Sequence, residues 1–125
     1  MPGLYAATAG YDVVEEIGVE RIRERSLALT SLLIELLDDA GLEVSSPRLP
    51  ERRGGTVLVR TPDDAAVHRE LGERGIICDF RPDAGVRLGP HFYNTEAELR
   101  QTVAELADIV ESGAYTRHPG VAARF

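Results

Sequence analysis

Two rhythms of apolar residues run along the chain. In the first third the spacing is three to four: Leu4 to Ile17 reads as one helix, broken at Gly18. From Val19 the pattern resumes, with Ile22, Leu29, Leu33, Leu36 and Ala40 on one face. Glu20, Arg21, Glu24 and Arg25 fall mostly off that face, and Gly41 stands where a helix C-terminus takes a left-handed residue. The spacing then changes. Leu42 to Ser45 allows a short strand within a Pro-, Ser- and Gly-rich loop, LEVSSPRLPERRGG, and Thr56 to Arg60 (TVLVR) is a β-branched strand. Thr61 reads as the cap of a helix with Pro62 at its first position and Asp63 and Asp64 in its first turn, ending near Arg74 and Gly75. Ile76 to Phe80 and Val86 to Leu88 read as two strands, joined tightly through RPDAG and therefore antiparallel. Thr95 with Glu98 makes a capping box before a last helix. Its stripe is Leu99, Val103, Leu106 and Val110, and Gly113 closes it.

The order α, (β), β, α, β, β, α predicts an α+β fold: a three- to four-stranded, mostly antiparallel sheet covered by helices on one face. One domain is expected over 1–113, with long linking helices over 1–40 and an α/β sandwich over 42–113. The segment 114–125, AYTRHPGVAARF, has no period and is expected to be a flexible tail. A chain of 125 residues supports one modest core.

Composition narrows the classes of function. The formal net charge of −7 argues against nucleic acid or an anionic membrane as partner. Apolar runs are far shorter than a membrane span, and the opening MPGLYAATAGYDVVEE lacks the basic-then-apolar pattern of a leader. A single cysteine allows no internal disulfide, so the expectation is a protein of the reducing cytoplasm. Every one of the 14 basic residues is Arg; there is no Lys.

Most chemistry-bearing residues have a plain reading. His68, His91 and His118 are scattered, and Cys78 completes no metal-ligand spacing with them, so no metal site is expected. Cys78 lies in a strand and reads as a small buried residue. Gly54-Gly55 is too short to cradle a phosphate. The stretch GVRLGPHFYNTEAEL is different, because Arg87 sits between apolar residues just before a turn packed with His91, Phe92, Tyr93 and Asn94. Asp79, Arg81 and Arg87 gather at adjacent strand ends. Arg87 and Asp79 then form a structural ion pair, or the guanidinium points outward to take a ligand carboxylate on two prongs.

The run RGIICDFRPDAGVRLGPHFYNTEAEL resembles the C-terminal domain of class V aminotransferase-like, pyridoxal-phosphate (PLP)-dependent enzymes, closest to the branch that includes kynureninase. LYAATAGYDVVEEIGVERIRERSLALTSLLIELLDDAGLEV is similar to the helix linking that family's two domains, and ERRGGTVLVR to the small domain's first strand. The resemblance covers residues 4–112. It implies the α+β small domain of fold type I PLP enzymes, with PLP as cofactor of the full-length enzyme. It also implies a small-molecule amino-acid substrate, and it gives Arg87 the role of gripping that substrate's α-carboxylate. Tyr93 and Asn94 match the family's turn and shape the loop; for His91, a solvated loop residue and a group near the active site are both open. The family's Schiff base needs a Lys. On this basis the chain is expected to bind no cofactor and to be inactive alone, with a homodimer possible through the first helix. A stand-alone α+β amino-acid-binding regulatory module and a plain interaction domain are the alternatives.

Overall fold

The computed structural model describes residues 2–118. Its elements are α1 (Pro2–Ile17), α2 (Val19–Asp39), β1 (Glu43–Val44), a 3-10 turn at Pro50–Arg52, β2 (Val57–Arg60), α3 (Asp64–Glu73), β3 (Asp79–Arg81), β4 (Gly85–Leu88), α4 (Glu96–Ser112) and a second 3-10 turn at Ala114–Arg117. The strands form one antiparallel sheet in the order β1-β2-β4-β3. The α+β architecture is the expected one.

Alternation along the strands divides the sheet into two faces. Val57, Val59, Val86 and Leu88 are buried on one face. They pack with Leu29, Leu33, Ile34 and Leu37 of α2, Val67 and Leu71 of α3, and Leu99, Val103, Leu106 and Ile109 of α4. Each such side chain contributes about 1.5–3 kcal/mol by leaving water. The other face carries Leu58, Arg60, Asp79, Arg81 and Arg87 by the same alternation. Helix α1 leads into α2 through Gly18 and buries none of its own side chains between residues 3 and 17.

Several boundaries differ from the sequence reading. The buried face of α2 runs through Leu33 and Leu37; Leu36 is half-buried and Ala40 exposed. The stripe of α4 ends on Ile109, with Val110 at its margin. The cap of α3 is Asp63, not Thr61: its carboxylate accepts from the Ala66 N–H at 3.0 Å. Asp caps better than Thr, and Thr61 instead donates its N–H and hydroxyl to Asp64 Oδ1, at 3.0 and 2.7 Å. Strand β3 begins only at Asp79. The register Asp79↔Arg87 sets Ile76 and Ile77 opposite Pro90 and Gly89, beyond the end of β4. Pro90 has no N–H to give them. The Thr95–Glu98 capping box forms as expected, with Thr95 Oγ1 accepting from the Glu98 N–H at 3.2 Å and Glu98 Oε2 accepting from the Thr95 N–H at 2.7 Å.

The segment after Gly113 departs from the expected loose tail. Ala114–Arg117 form a 3-10 turn, and Arg117 and His118 dock on α3. Positions 119–125 of that expected tail lie outside the described residues.

Candidate functional site

Strand β4 lies between β2 and β3, so Arg87 is on an inner strand and is not an edge charge. Its cross-strand partners are Leu58 on β2 and Asp79 on β3. The hairpin that sets this register turns through Pro82 and Asp83. Asp83 takes a left-handed backbone (φ 63°), and the Ala84 N–H donates to the Arg81 carbonyl at 3.0 Å. Pro followed by a left-handed residue suits a type II turn, and Asp tolerates that conformation better than most residues.

Arg87 opens on a groove of about 510 Å³ between α2, the start of β2 and the segment after β4. Ile22 and Ser26 line one wall, Thr56 another, Ile77 and Cys78 a third, and His91 and Phe92 the rim. The guanidinium is half-buried, with its side chain 36% exposed. Among the described residues it makes one hydrogen bond, from Nη2 to Asp79 Oδ2. A guanidinium carries five N–H donors, so four remain unspent. The same Asp79 oxygen lies 3.3 Å from Nη2 of Arg81. The ion pair foreseen as one reading therefore exists, yet it engages the fork at one prong only.

The other sequence candidates take distinct places. His91 and Tyr93 stack with ring centroids 5.1 Å apart and planes 10° from parallel, and Phe92 meets Tyr93 edge-on at 5.3 Å. His91 and Tyr93 are exposed. Asn94 holds the loop: its Oδ1 accepts from the His91 N–H at 2.8 Å, its N–H donates to the His91 carbonyl at 2.9 Å, and its carbonyl accepts from Arg25 Nη2 at 3.2 Å. Cys78 lies beside Asp79 on the groove wall. Burial, and then the Asp79 charge, push its thiol up to about 11, so it is protonated at neutral pH and a poor nucleophile.

Sequence reasoning missed a second cluster, away from the groove. Glu70 of α3 is fully buried. Oε1 accepts from Arg74 Nε at 3.1 Å and from Arg117 Nη2; Oε2 accepts from Arg117 Nε at 2.7 Å and from His118 Nε2 at 2.9 Å. The Arg117 bonds overcome the cost of burial and hold the carboxyl down at about 2, with help from His118 and Arg74. Arg74 also donates to Glu105 at 2.6 Å and Asp108 at 2.7 Å, tying α3 to α4. Glu70, Glu73 and His118 bring ligand atoms within 4.8 Å of one another, although the histidines are scattered in sequence. The four acceptor positions of the Glu70 carboxylate are already filled. The cluster is an ion-pair network, not a cation cage.

Buried Arg53 was also missed. It donates to Thr30 Oγ1 at 3.2 Å, Ser31 Oγ at 2.6 Å and the Arg48 carbonyl at 2.7 Å, which pins the loop before β2 to α2.

Residues 22–106 match the family model described as kynureninase C-terminal domain. The chain belongs to that family. It is 35% identical over 109 residues to the kynureninase of Bacillus thuringiensis subsp. konkukian (strain 97-27), and 36% identical over 109 residues to that of Bacillus anthracis. Each match covers 83% of this chain and 26% of the relative, so the chain spans about a quarter of the length of the curated relatives it matches. Among solved structures it superposes on the apo cysteine desulfurase from Thermococcus onnurineus NA1, with a TM-score of 0.76 at 22% identity over 83% of this chain and 30% of that one. A NifS-like protein gives a TM-score of 0.74 at 20% identity, over 89% of this chain and 34% of that one. At these identities the structural likeness speaks for the fold: the small-domain α+β arrangement of fold type I PLP enzymes.

Proposed function

We propose that this kynureninase C-terminal domain is the substrate-carboxylate-binding part of a PLP-dependent enzyme, with Arg87 gripping the α-carboxylate of an amino acid. One observation carries the reading: a half-buried guanidinium on an inner strand opens on a groove with four N–H donors unspent. A planar fork of this kind matches the two oxygens of a carboxylate. Ile22, Ile77 and Phe92 offer apolar contact to the rest of a ligand, and Asp79 sets the guanidinium's place. Asn94 shapes the rim loop and Tyr93 and His91 stack upon it.

PLP would supply the electron sink for chemistry at the substrate's α-carbon. Its anchor is a Lys amine, and this chain has none, so the residues present do not fit the cofactor site. The domain serves the substrate side and is inactive alone. The kynureninase relatives favour a hydrolase over an aminotransferase. The remaining three quarters of such an enzyme would cover α1, whose Leu4, Tyr5, Tyr11, Val13 and Val14 are exposed.

The test is a chimera in which this domain replaces the matching 109 residues of the Bacillus anthracis kynureninase. Removing one member of a buried charge pair costs about 2–5 kcal/mol. Arg87→Ala should therefore lower kcat/KM by roughly thirtyfold to several thousandfold. Arg87→Lys should recover little, because an ammonium offers no fork. Activity of Arg87→Ala within a few-fold of the unsubstituted chimera would overturn the reading.

A further inference from the structure

We propose that Asp79 is a placeholder carboxylate: it holds Arg87 until a ligand carboxylate takes the guanidinium, and Arg81 then retains it. The inference rests on the reading of Arg87 as the ligand-binding group, and adds to it the residue that sets the occupancy and strength of that grip.

Three features support the exchange. First, Asp79 engages Arg87 through a single nitrogen, Nη2, while the rest of the fork stays open toward the groove. A two-pronged ligand is the better partner, since paired N–H···O bonds add geometry as well as energy. Second, the one Asp79 oxygen that meets Arg87 also lies 3.3 Å from Arg81 Nη2. Leaving Arg87 thus does not strand Asp79 without a cation. Third, the groups are accessible: side-chain exposures are 36% for Arg87, 41% for Asp79 and 55% for Arg81. Pairs this exposed are worth about 1 kcal/mol or less, small enough for a ligand to displace. The register keeps all three side chains on one sheet face, with Asp79 opposite Arg87 and Arg81 two residues along the same strand.

The device has a consequence for ligand choice. Asp79 on the groove wall keeps its negative charge when it moves to Arg81. A ligand with one carboxylate and a neutral remainder enters; one with a second carboxylate near Asp79 meets a like charge.

The experiment uses the 125-residue chain and sodium benzoate as probe, following the Arg87 side-chain Nε–H signal by NMR at low salt. Asp79→Asn should tighten benzoate binding about fivefold, the worth of an exposed pair near 1 kcal/mol. Asp39→Asn removes the same charge from the exposed end of α2 and should leave binding unchanged. Arg81→Gln should weaken binding, because Asp79 then has only Arg87. Arg87→Gln should abolish it. If Asp79→Asn binds no tighter than wild type, or no tighter than Asp39→Asn, while Arg87→Gln still abolishes binding, the placeholder falls and the Arg87 reading stands. If Arg81→Gln binds as wild type does, the hand-over to Arg81 falls. If Arg87→Gln binds benzoate normally, the Arg87 reading falls and takes the placeholder with it. Absence of binding in both wild type and Asp79→Asn also overturns the placeholder, since a vacated Arg87 must accept a carboxylate.

Discussion

Glu70 is the most informative residue for stability. Its side chain is fully buried, and its four acceptor positions are satisfied by Arg74, Arg117 and His118. Glu70→Gln keeps the volume but replaces an acceptor-only group with one that carries two N–H donors, which then face guanidinium donors. Loss of a buried member of a charge pair costs about 3–5 kcal/mol when the remaining charges stay buried. Here relief is partial: Arg117 is 59% exposed and rehydrates, whereas Arg74 keeps Glu105 and Asp108. The expected loss is therefore below that range, about 1–3 kcal/mol. For a domain of this size it lowers Tm by roughly 4–15 °C. The pH dependence has a definite sign. The folded-state pKa of about 2 lies below the ordinary 4.5, so the carboxylate's contribution is whole above about pH 4.5 and is lost as pH falls toward 2. Urea unfolding of wild type and Glu70→Gln at pH 7, 5 and 3 reads both quantities. The gap between them should be constant from 7 to 5 and fall by roughly half by pH 3. A gap absent at pH 7, or undiminished at pH 3, would refute the argument.

Other outcomes follow from single observations. Gly85→Ala should destabilise by at least 2 kcal/mol in urea titration, because φ is +124° and the new Cβ would lie 2.3 Å from the Val59 carbonyl oxygen. Thr95→Ala removes the cap of α4 and should cost about 1 kcal/mol; a loss below 0.3 kcal/mol on the order of experimental error would contradict it. Helix α1 buries no side chain over residues 3–17, so its amides should exchange far faster than those of α4 in a proven monomer. Equal protection of the two helices would show a covering contact that the isolated chain supplies itself.

The parts of the fold legible in the sequence are those fixed by neighbours in the chain. The Thr95–Glu98 box spans three residues, and the tight RPDAG turn fixes the pairing of Asp79 with Arg87. Each is a local decision. The missed features depend on contacts across 20 or more residues. Glu70 meets Arg117 and His118, 47 and 48 positions on, and no local pattern says that a charged tail turns back onto a helix. One signal was present: Glu70 falls on the same stripe as Ala66, Val67 and Leu71, where a solvated carboxylate has no place. Arg53 meets Thr30 and Ser31 across 23 and 22 positions, and a loop reading ERRGG gives no hint that its second arginine is inside. The shortened β3 is a milder case. Ile76 and Ile77 have strand propensity but no partner, because Gly89-Pro90 ends the neighbouring strand first.

Legibility of the site has the same physical basis. Arg87 stood out because a lone guanidinium sits between apolar residues just before a turn, and the hairpin pairs it with Asp79. Gly85 allows β4 to lie hard against the Val59 carbonyl, and that close approach carries Arg87, two residues along, onto the same row as Leu58 and Asp79. A strand held less closely would let the arginine swing free into solvent, where a carboxylate contact is worth little. Close backbone packing between β2 and β4 thus sets how firmly the side chains of that sheet face are placed. Gly85→Ala should consequently weaken benzoate binding even where the chain remains folded, and a folded Gly85→Ala protein with unaltered affinity would separate the groove from the sheet that carries it.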